Sequence, residues 1–275
     1  SGQSEEVRVL ADAFNHMLDR LTDAFAGQRA FVADASHELR TPLTVIRGQL
    51  EVLAAQQNPS GEEVRRVQRL VQAEIARITR LVDDLLLLAN TEHTEFLRPE
   101  PIDLDAFVSE LWDGVSLTAD RRYELGAVPR GILRADPDRL AQALRNLLGN
   151  AIEHTAGERG LVRMAVERAG PGLVRFVVED DGPGIPPGER ERVFDRFHRP
   201  DPARDRASGG AGLGLAIVRA IIEAHGGRVS ASQSHEGGAR MEIELPGFTP
   251  ASAPPGPPRS GGVAAGAVTG IGDAA

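Results

Sequence analysis

The sequence predicts a helical hairpin, closed into a four-helix bundle by a second copy of itself, followed by an α/β sandwich. Three observations predict it. Apolar residues recur at helical spacing on both sides of one turn, Gln57-Asn58-Pro59-Ser60-Gly61. Pro99 and Pro101 end that helical pattern. Beyond them helix and strand signals alternate, with hairpin turns between strand pairs.

The elements follow in order. Val7, Leu10, Phe14, Met17 and Leu21 are spaced 3-4-3-4, a coiled-coil seam. A second helical stretch runs from about 31 to 56. After the turn, a third helix carries Val64, Val67, Val71, Ile78, Leu85 and Leu88 on one stripe. Two helices cannot bury so apolar a stripe between them. A dimeric bundle can, and packing on the chain's own second domain is the alternative. Asp103 to about Leu117 reads as a helix, and Asp136-Pro137 opens another with Asp as N-cap and Pro at the first helical position. Residues 161–168 and 173–179 alternate as two strands around Gly170-Pro171-Gly172. A helix from about Gly214 stops at Gly226-Gly227, and 228–233 and 241–245 make a last strand pair. The hairpins predict a largely antiparallel sheet. From Thr249 onward the chain is Pro, Gly, Ala and Ser without period, which predicts a disordered tail.

Composition narrows the chemistry. At 275 residues there is room for two domains. A net charge of -9 lacks the electrostatic footprint of a nucleic-acid binder. Cysteine is absent, which excludes disulfides, thiolate metal sites and cysteine nucleophiles. All 31 basic residues are arginine, so no Walker lysine or Schiff base is available. No run of 18 apolar residues is present to span a bilayer, and no signal peptide is visible. The abrupt start, Ser1-Gly2-Gln3, leads to the expectation of a fragment of something longer.

Four motifs carry the chemistry. The first is Ser36-His37-Glu38-Leu39-Arg40-Thr41-Pro42. Imidazole is a nucleophile near neutral pH. Helical spacing puts Asp34, Arg40 and Thr41 on the face of His37, and Pro42 removes the backbone bond to the Glu38 carbonyl, so a bend is expected. On spacing alone this is equally a surface histidine beside a kink. The second is Asn146 and Asn150, four apart on one helix face, whose amide oxygens suit Mg²⁺; a polar helix face is the plainer reading. The third is Asp180-Asp181-Gly182-Pro183-Gly184 after a strand, where a carboxylate can accept from an exocyclic amine, or simply make an acidic turn. The fourth is Gly209-Gly210-Ala211-Gly212-Leu213-Gly214, a glycine-rich helix entry that presents N–H groups to phosphate, or a flexible loop. Between the last two, Phe194 to Arg199 lead into a polar stretch to Ser208 with the composition of a mobile lid, its arginines available for phosphates.

Taken together, in this order and spacing, the motifs resemble the sensor histidine kinases of bacterial two-component systems, over roughly residues 5 to 246. The resemblance implies the end of a HAMP linker over 1–24, a dimerization and histidine phosphotransfer domain over 25–92, and a catalytic ATP-binding domain over 97–247. It implies a sandwich of the Bergerat type, shared with gyrase and chaperone ATPases, with 248–275 as the tail. A transmembrane segment would precede the linker, making this the cytoplasmic portion of an inner-membrane protein.

Carried over by residue, His37 is the phosphoacceptor, Glu38 orients and deprotonates it, and Thr41 positions water for dephosphorylating the partner. Asn146 and Asn150 hold Mg²⁺ and ATP, and Asp180 takes the adenine amine beside Gly182 and Gly184. Gly210, Gly212, Leu213 and Gly214 form the phosphate side, with Arg199 as a phosphate-contacting arginine, and His154 borders the nucleotide. The implied partners are a second copy of the chain and a cognate response regulator. There are departures: Glu153 stands where a basic residue is frequent, His154 where tyrosine is, and Ala211 replaces a threonine. Histidines 16, 93, 198, 225 and 235 are expected to be surface or packing residues. Two other classes remain: a conformational ATPase of the gyrase or chaperone type, and a non-catalytic dimerization module. The nucleophile motif argues against the first, and the intact asparagines, Asp180 and glycines against the second.

Overall fold

The computed structural model describes residues 2–91, 96–155, 160–199 and 211–251. Helix α1 spans Gly2–Ala55, 54 residues without interruption. The two stretches expected at the N-terminus are therefore one helix. Residues 22–30 between them are mostly good helix formers, and Gly27 alone costs about 1 kcal/mol there. The helix also runs on through Pro42, whose ring is buried. Of the expected seam, the side chains of Val7 and Leu10 lie outside the described residues. Phe14, Met17 and Leu21 are each about half exposed, at 53, 49 and 48%.

Helix α2 (Gly61–Asn90) starts at a capping box. The Ser60 hydroxyl accepts from the Glu63 N–H, and the Glu63 carboxylate accepts from the Ser60 N–H, which satisfies two orphan donors and fixes the turn. Of the expected stripe on α2, Val67 and Leu88 are buried, Val71, Ile78 and Leu85 are half-buried and Val64 is exposed. Leu81, Leu87 and Leu88 are buried in one core with the α/β domain, whereas Ile75, Val82 and Leu86 remain exposed. The α/β domain therefore covers one side of the hairpin and leaves the other bare.

The second domain follows as β1 (Glu100–Asp103), α3 (Leu104–Ser116), β2 (Arg122–Leu125), β3 (Gly131–Ala135), α4 (Pro137–His154), β4 (Leu161–Gly170), β5 (Leu173–Asp180), α5 (Gly214–Ala224), β6 (Arg228–Gln233), β7 (Ala239–Pro246) and β8 (Phe248–Pro250). Two short 3-10 turns, Pro187–Glu189 and Arg192–Phe194, lie between β5 and α5. The main sheet has the order β2-β4-β5-β7-β6; only the β2–β4 pair is parallel. A second, three-stranded antiparallel sheet has the order β1-β3-β8.

Alternation builds the layers. On β4, β5 and β7, Val162, Met164, Val174, Phe176, Ile243 and Leu245 face the helices and are buried. Their neighbours Arg163, Arg175, Arg240, Glu242 and Glu244 pair across strands on the opposite face. Leu140, Leu144, Leu147 and Leu148 of α4 meet Ile217, Ile221 and Ile222 of α5 inside the core.

One sequence expectation is corrected here. Phe248, Thr249 and Pro250 belong to a strand, not to the tail expected from 248 onward. Phe248 is 3% exposed, and Gly131 on β3 has no Cβ to collide with the Thr249 carbonyl. Residues 252–275 of that expected tail lie outside the described residues. Among the described residues no helix is long and apolar enough to cross a membrane.

Candidate active site: an exposed histidine and a glycine-lined pocket

The candidate site has two parts on two domains. On α1, His37 is exposed. The Thr41 hydroxyl donates to the His37 carbonyl at 3.2 Å, one turn below. Glu38 turns toward α2, where its carboxylate lies 3.8 Å from the Arg77 guanidinium. Six residues before the histidine, the Phe31 ring meets Phe197 of the second domain, centroids 6.1 Å apart, and Arg196 lies 5.0 Å over the same ring. The segment that leads into the expected lid is thus seated on the helix that carries His37.

The second part is built by α4, the end of β5 and the start of α5. The helix α4 is capped by Asp136, whose Oδ1 accepts from the Arg139 N–H at 3.0 Å. Asn146 and Asn150 are half-buried on it. Asn146 Nδ2 donates to the Gly214 carbonyl at 3.2 Å, which binds α4 to the glycine-rich entry of α5 and occupies the amide's donor rather than its oxygen. That oxygen and the Asn150 amide fit a hard cation, which prefers oxygen ligands.

Asp180 ends β5 and is 6% exposed. Its Oδ1 accepts from the N–H groups of Gly182, at 2.9 Å, and Ala239, at 3.0 Å. Burial pushes its carboxyl above the ordinary range, opposed by those two backbone bonds and by His154. Gly182 is required by close approach: a Cβ there would lie 2.1 Å from the His154 carbonyl. Gly184 has φ +72 and faces the Gly237 carbonyl. At the entry of α5, Gly212 has φ +70, and a Cβ on it would meet the Phe197 backbone at 3.0 Å. Phe197 itself adopts φ 59, held by its N–H bond to the Gly212 carbonyl at 3.0 Å. Leu213 is buried, Gly214 opens α5, and Arg199 is half-buried.

The fold thus gathers Asn146, Asn150, Asp180, Gly182, Gly184, Gly212, Leu213 and Gly214 around α4, β5 and α5, and leaves His37, Glu38 and Thr41 on α1. The side chains of His154 and Glu153 are exposed. Gly210 lies outside the described residues. Sequence reasoning missed two residues. His225 accepts from the Asp136 N–H at 3.0 Å through Nε2, while its Nδ1 bonds the Ile221 carbonyl at 2.8 Å, pinning the end of α5 to the start of α4. Ser234, buried, donates to the Asp180 carbonyl.

Residues 135–248 match the family model of histidine kinase-, DNA gyrase B- and HSP90-like ATPases, and residues 27–94 that of the His Kinase A (phospho-acceptor) domain. Relatives include the probable sensor histidine kinase TcrY of Mycobacterium tuberculosis, 39% identical over 92% of this chain and 54% of that protein. Sensor histidine kinase CusS of Escherichia coli is 38% identical over 88% of this chain and 50% of its own length. The chain therefore spans about half the length of these relatives. Among solved structures, the histidine kinase AdeS of Acinetobacter baumannii superposes with TM-score 0.59 at 26% identity, covering 77% of this chain and 98% of that one. Full-length ShkA in complex with AMPPNP gives 0.58 at 30% identity, over 79% of this chain and 45% of that one.

Proposed function

Since this chain belongs to the sensor histidine kinases of two-component systems, we propose that it binds ATP between α4, β5 and α5 and phosphorylates its own His37. A lone pair on Nε2 attacks the γ-phosphorus, the bond to the β–γ bridging oxygen breaks, and ADP leaves. The phosphoryl group then passes to an aspartate of a cognate response regulator. In the reverse mode the same domain dephosphorylates that regulator, with Thr41 positioning water.

The observation that carries this reading is the Asn146–Gly214 hydrogen bond, 3.2 Å, which joins the amide-bearing helix to the glycine-rich helix entry. With Asp180 across the pocket, one cleft offers an acceptor for a base, a metal-facing amide pair and a backbone rich in N–H groups. Asn146 and Asn150 would hold Mg²⁺, which would offset charge on the phosphates. Gly212 and Gly214 line the phosphate side, Arg199 contacts phosphate, and Gly182, Gly184, Leu213 and His154 border the nucleotide. Glu38 orients His37 and takes its proton. Catalysis of this kind is mostly positioning, so the catalytic domain must reach His37 from its seat on α1.

The domain division we infer is 1–24 for the end of a HAMP linker, 25–92 for the dimerization and phosphotransfer domain, and 97–250 for the catalytic domain, which takes in β8 because that strand pairs with β3. The working unit is a homodimer, attached to the bacterial inner membrane by segments that precede this chain. Calorimetric titration tests the pocket. The parent should bind ATP only with Mg²⁺, and Asn150→Ala and Asp180→Ala should each weaken binding about tenfold or more. Parent-like binding by both variants would place the nucleotide elsewhere.

A further inference from the structure

The donors around Asp180 are shared in an unusual way. The β5–β7 ladder pairs Glu179 with Arg240, so Ala239 stands where the next main-chain donor to Asp180 belongs. Its N–H goes instead to the carboxylate, at 3.0 Å from Oδ1. The main-chain carbonyl of Asp180, on a residue 6% exposed, then needs another donor. The Ser234 hydroxyl supplies it at 2.8 Å, and Ser234 is itself 6% exposed.

The turn that carries Ser234 is firmly held. The Ser234 N–H donates to the Gly238 carbonyl at 2.8 Å, and the Gly237 N–H to the Ser234 carbonyl at 3.1 Å. Glu236 pairs with Arg163 of β4 at 3.1 Å, and Arg240 with Glu179 at 2.7 Å. The turn also lies flush on the base side of the pocket. A Cβ on Gly238 would stand 2.1 Å from the Asp180 carbonyl oxygen, and one on Gly184 would stand 2.8 Å from the Gly237 carbonyl oxygen. One rigid turn therefore touches both ends of the segment Asp180–Gly184. Oδ2 of Asp180 makes no hydrogen bond among the described residues, which leaves it as the acceptor presented to a ligand.

We propose that Ser234 is a positioning residue for adenine recognition: its hydroxyl fixes the Asp180 main chain so that the carboxylate meets the exocyclic amine of the base. This rests on the reading of the pocket as an ATP site with Asp180 at the base. Ser234 touches no substrate; it acts through Asp180. Its signature is therefore a loss confined to ligands that carry the amine, whereas a merely structural serine would affect all nucleotides alike.

The test compares ATP with purine riboside triphosphate, which lacks the 6-amino group, by calorimetry on the full chain with Mg²⁺. The parent should prefer ATP about tenfold or more, the value of one buried hydrogen bond to a charged group. Ser234→Ala should shrink that preference to about threefold or less, with the deamino analogue bound as tightly as by the parent. Equal weakening of both ligands, or an unchanged preference, overturns the proposal. A parent with no preference overturns the base-reading role of Asp180 itself, a separate result from any effect of Ser234. If Ser234→Ala does not fold, Ser234→Cys, a weak donor, must show the same shrinkage, and Ser234→Thr must retain the preference. Failure of either overturns the assignment.

Discussion

Asp84 shows how one residue's surroundings set a pH response. It lies half-buried on α2, and its carboxyl is pushed up to about 6, chiefly by burial and further by Asp83, against Arg80. A carboxyl whose folded pKa is raised supports the fold below its unfolded value of 3.8 and loses that contribution as pH rises through about 6. At neutral pH the charged group therefore opposes folding. Asp84→Asn should raise the melting temperature at pH 7.5 by about 2–4 °C, after allowance for solvent screening, and leave it unchanged below pH 4. A gain that persists at pH 3.5 would contradict this cause. At this same scale the sequence was legible where chemistry repeats at fixed spacing. Asn146 and Asn150, Asp180 with its glycines, and His37 with Thr41 each have a plainer reading alone and stand out only by their order along the chain. Ser234 and His225 do not, because a serine after a strand or a histidine before Gly-Gly acquires its role only from a partner distant in sequence. Ser234 meets Asp180 across 54 positions and His225 meets Asp136 across 89.

At the scale of elements, the hairpin presents a face that its own domain does not cover. Ile75, Val82 and Leu86 on α2 are 52, 38 and 56% exposed, and Val32, Leu43 and Leu50 on α1 are 58, 55 and 48% exposed. So much apolar surface at helical spacing needs a partner helix pair. The full chain should sediment as a dimer at micromolar concentration, and Leu86→Arg should shift it toward monomer; a monomeric parent would contradict the bundle. The long, periodic elements α2, α4, α5, β4 and β5 were legible, since burial on one face writes a period into the sequence. The short strands β1, β2, β3 and β8, of four, four, five and three residues, were not. Too few residues alternate in them, and Pro101, Gly131 and Pro250 disguise what pairing alone makes strands. The continuity of α1 was missed for a related reason: Gly27 marks a boundary locally, yet nothing packs within 4 Å of its missing Cβ to exploit one.

In the whole molecule, the two chemistries sit on two domains that share a core through Leu81, Leu87 and Leu88 and also meet through Phe31, Arg196 and Phe197. The seat lies below His37 on the same helix, and residues 92–95, between α2 and the catalytic domain, fall outside the described residues. Phosphoryl transfer requires the γ-phosphate to meet Nε2 in line, so the account stands on whether His37 receives it. The direct measurement is to incubate the full chain with γ-labelled ATP and Mg²⁺, follow the label in acid and in base, and map it by mass spectrometry beside His37→Gln, which keeps the size and loses the nucleophile. A phosphorus–nitrogen bond to imidazole is lost in acid and survives base, opposite to a serine or threonine ester. The account predicts an acid-labile label on His37 alone, absent from a His37→Gln variant that still binds ATP like the parent; label that persists in that variant, or that resists acid, would contradict it.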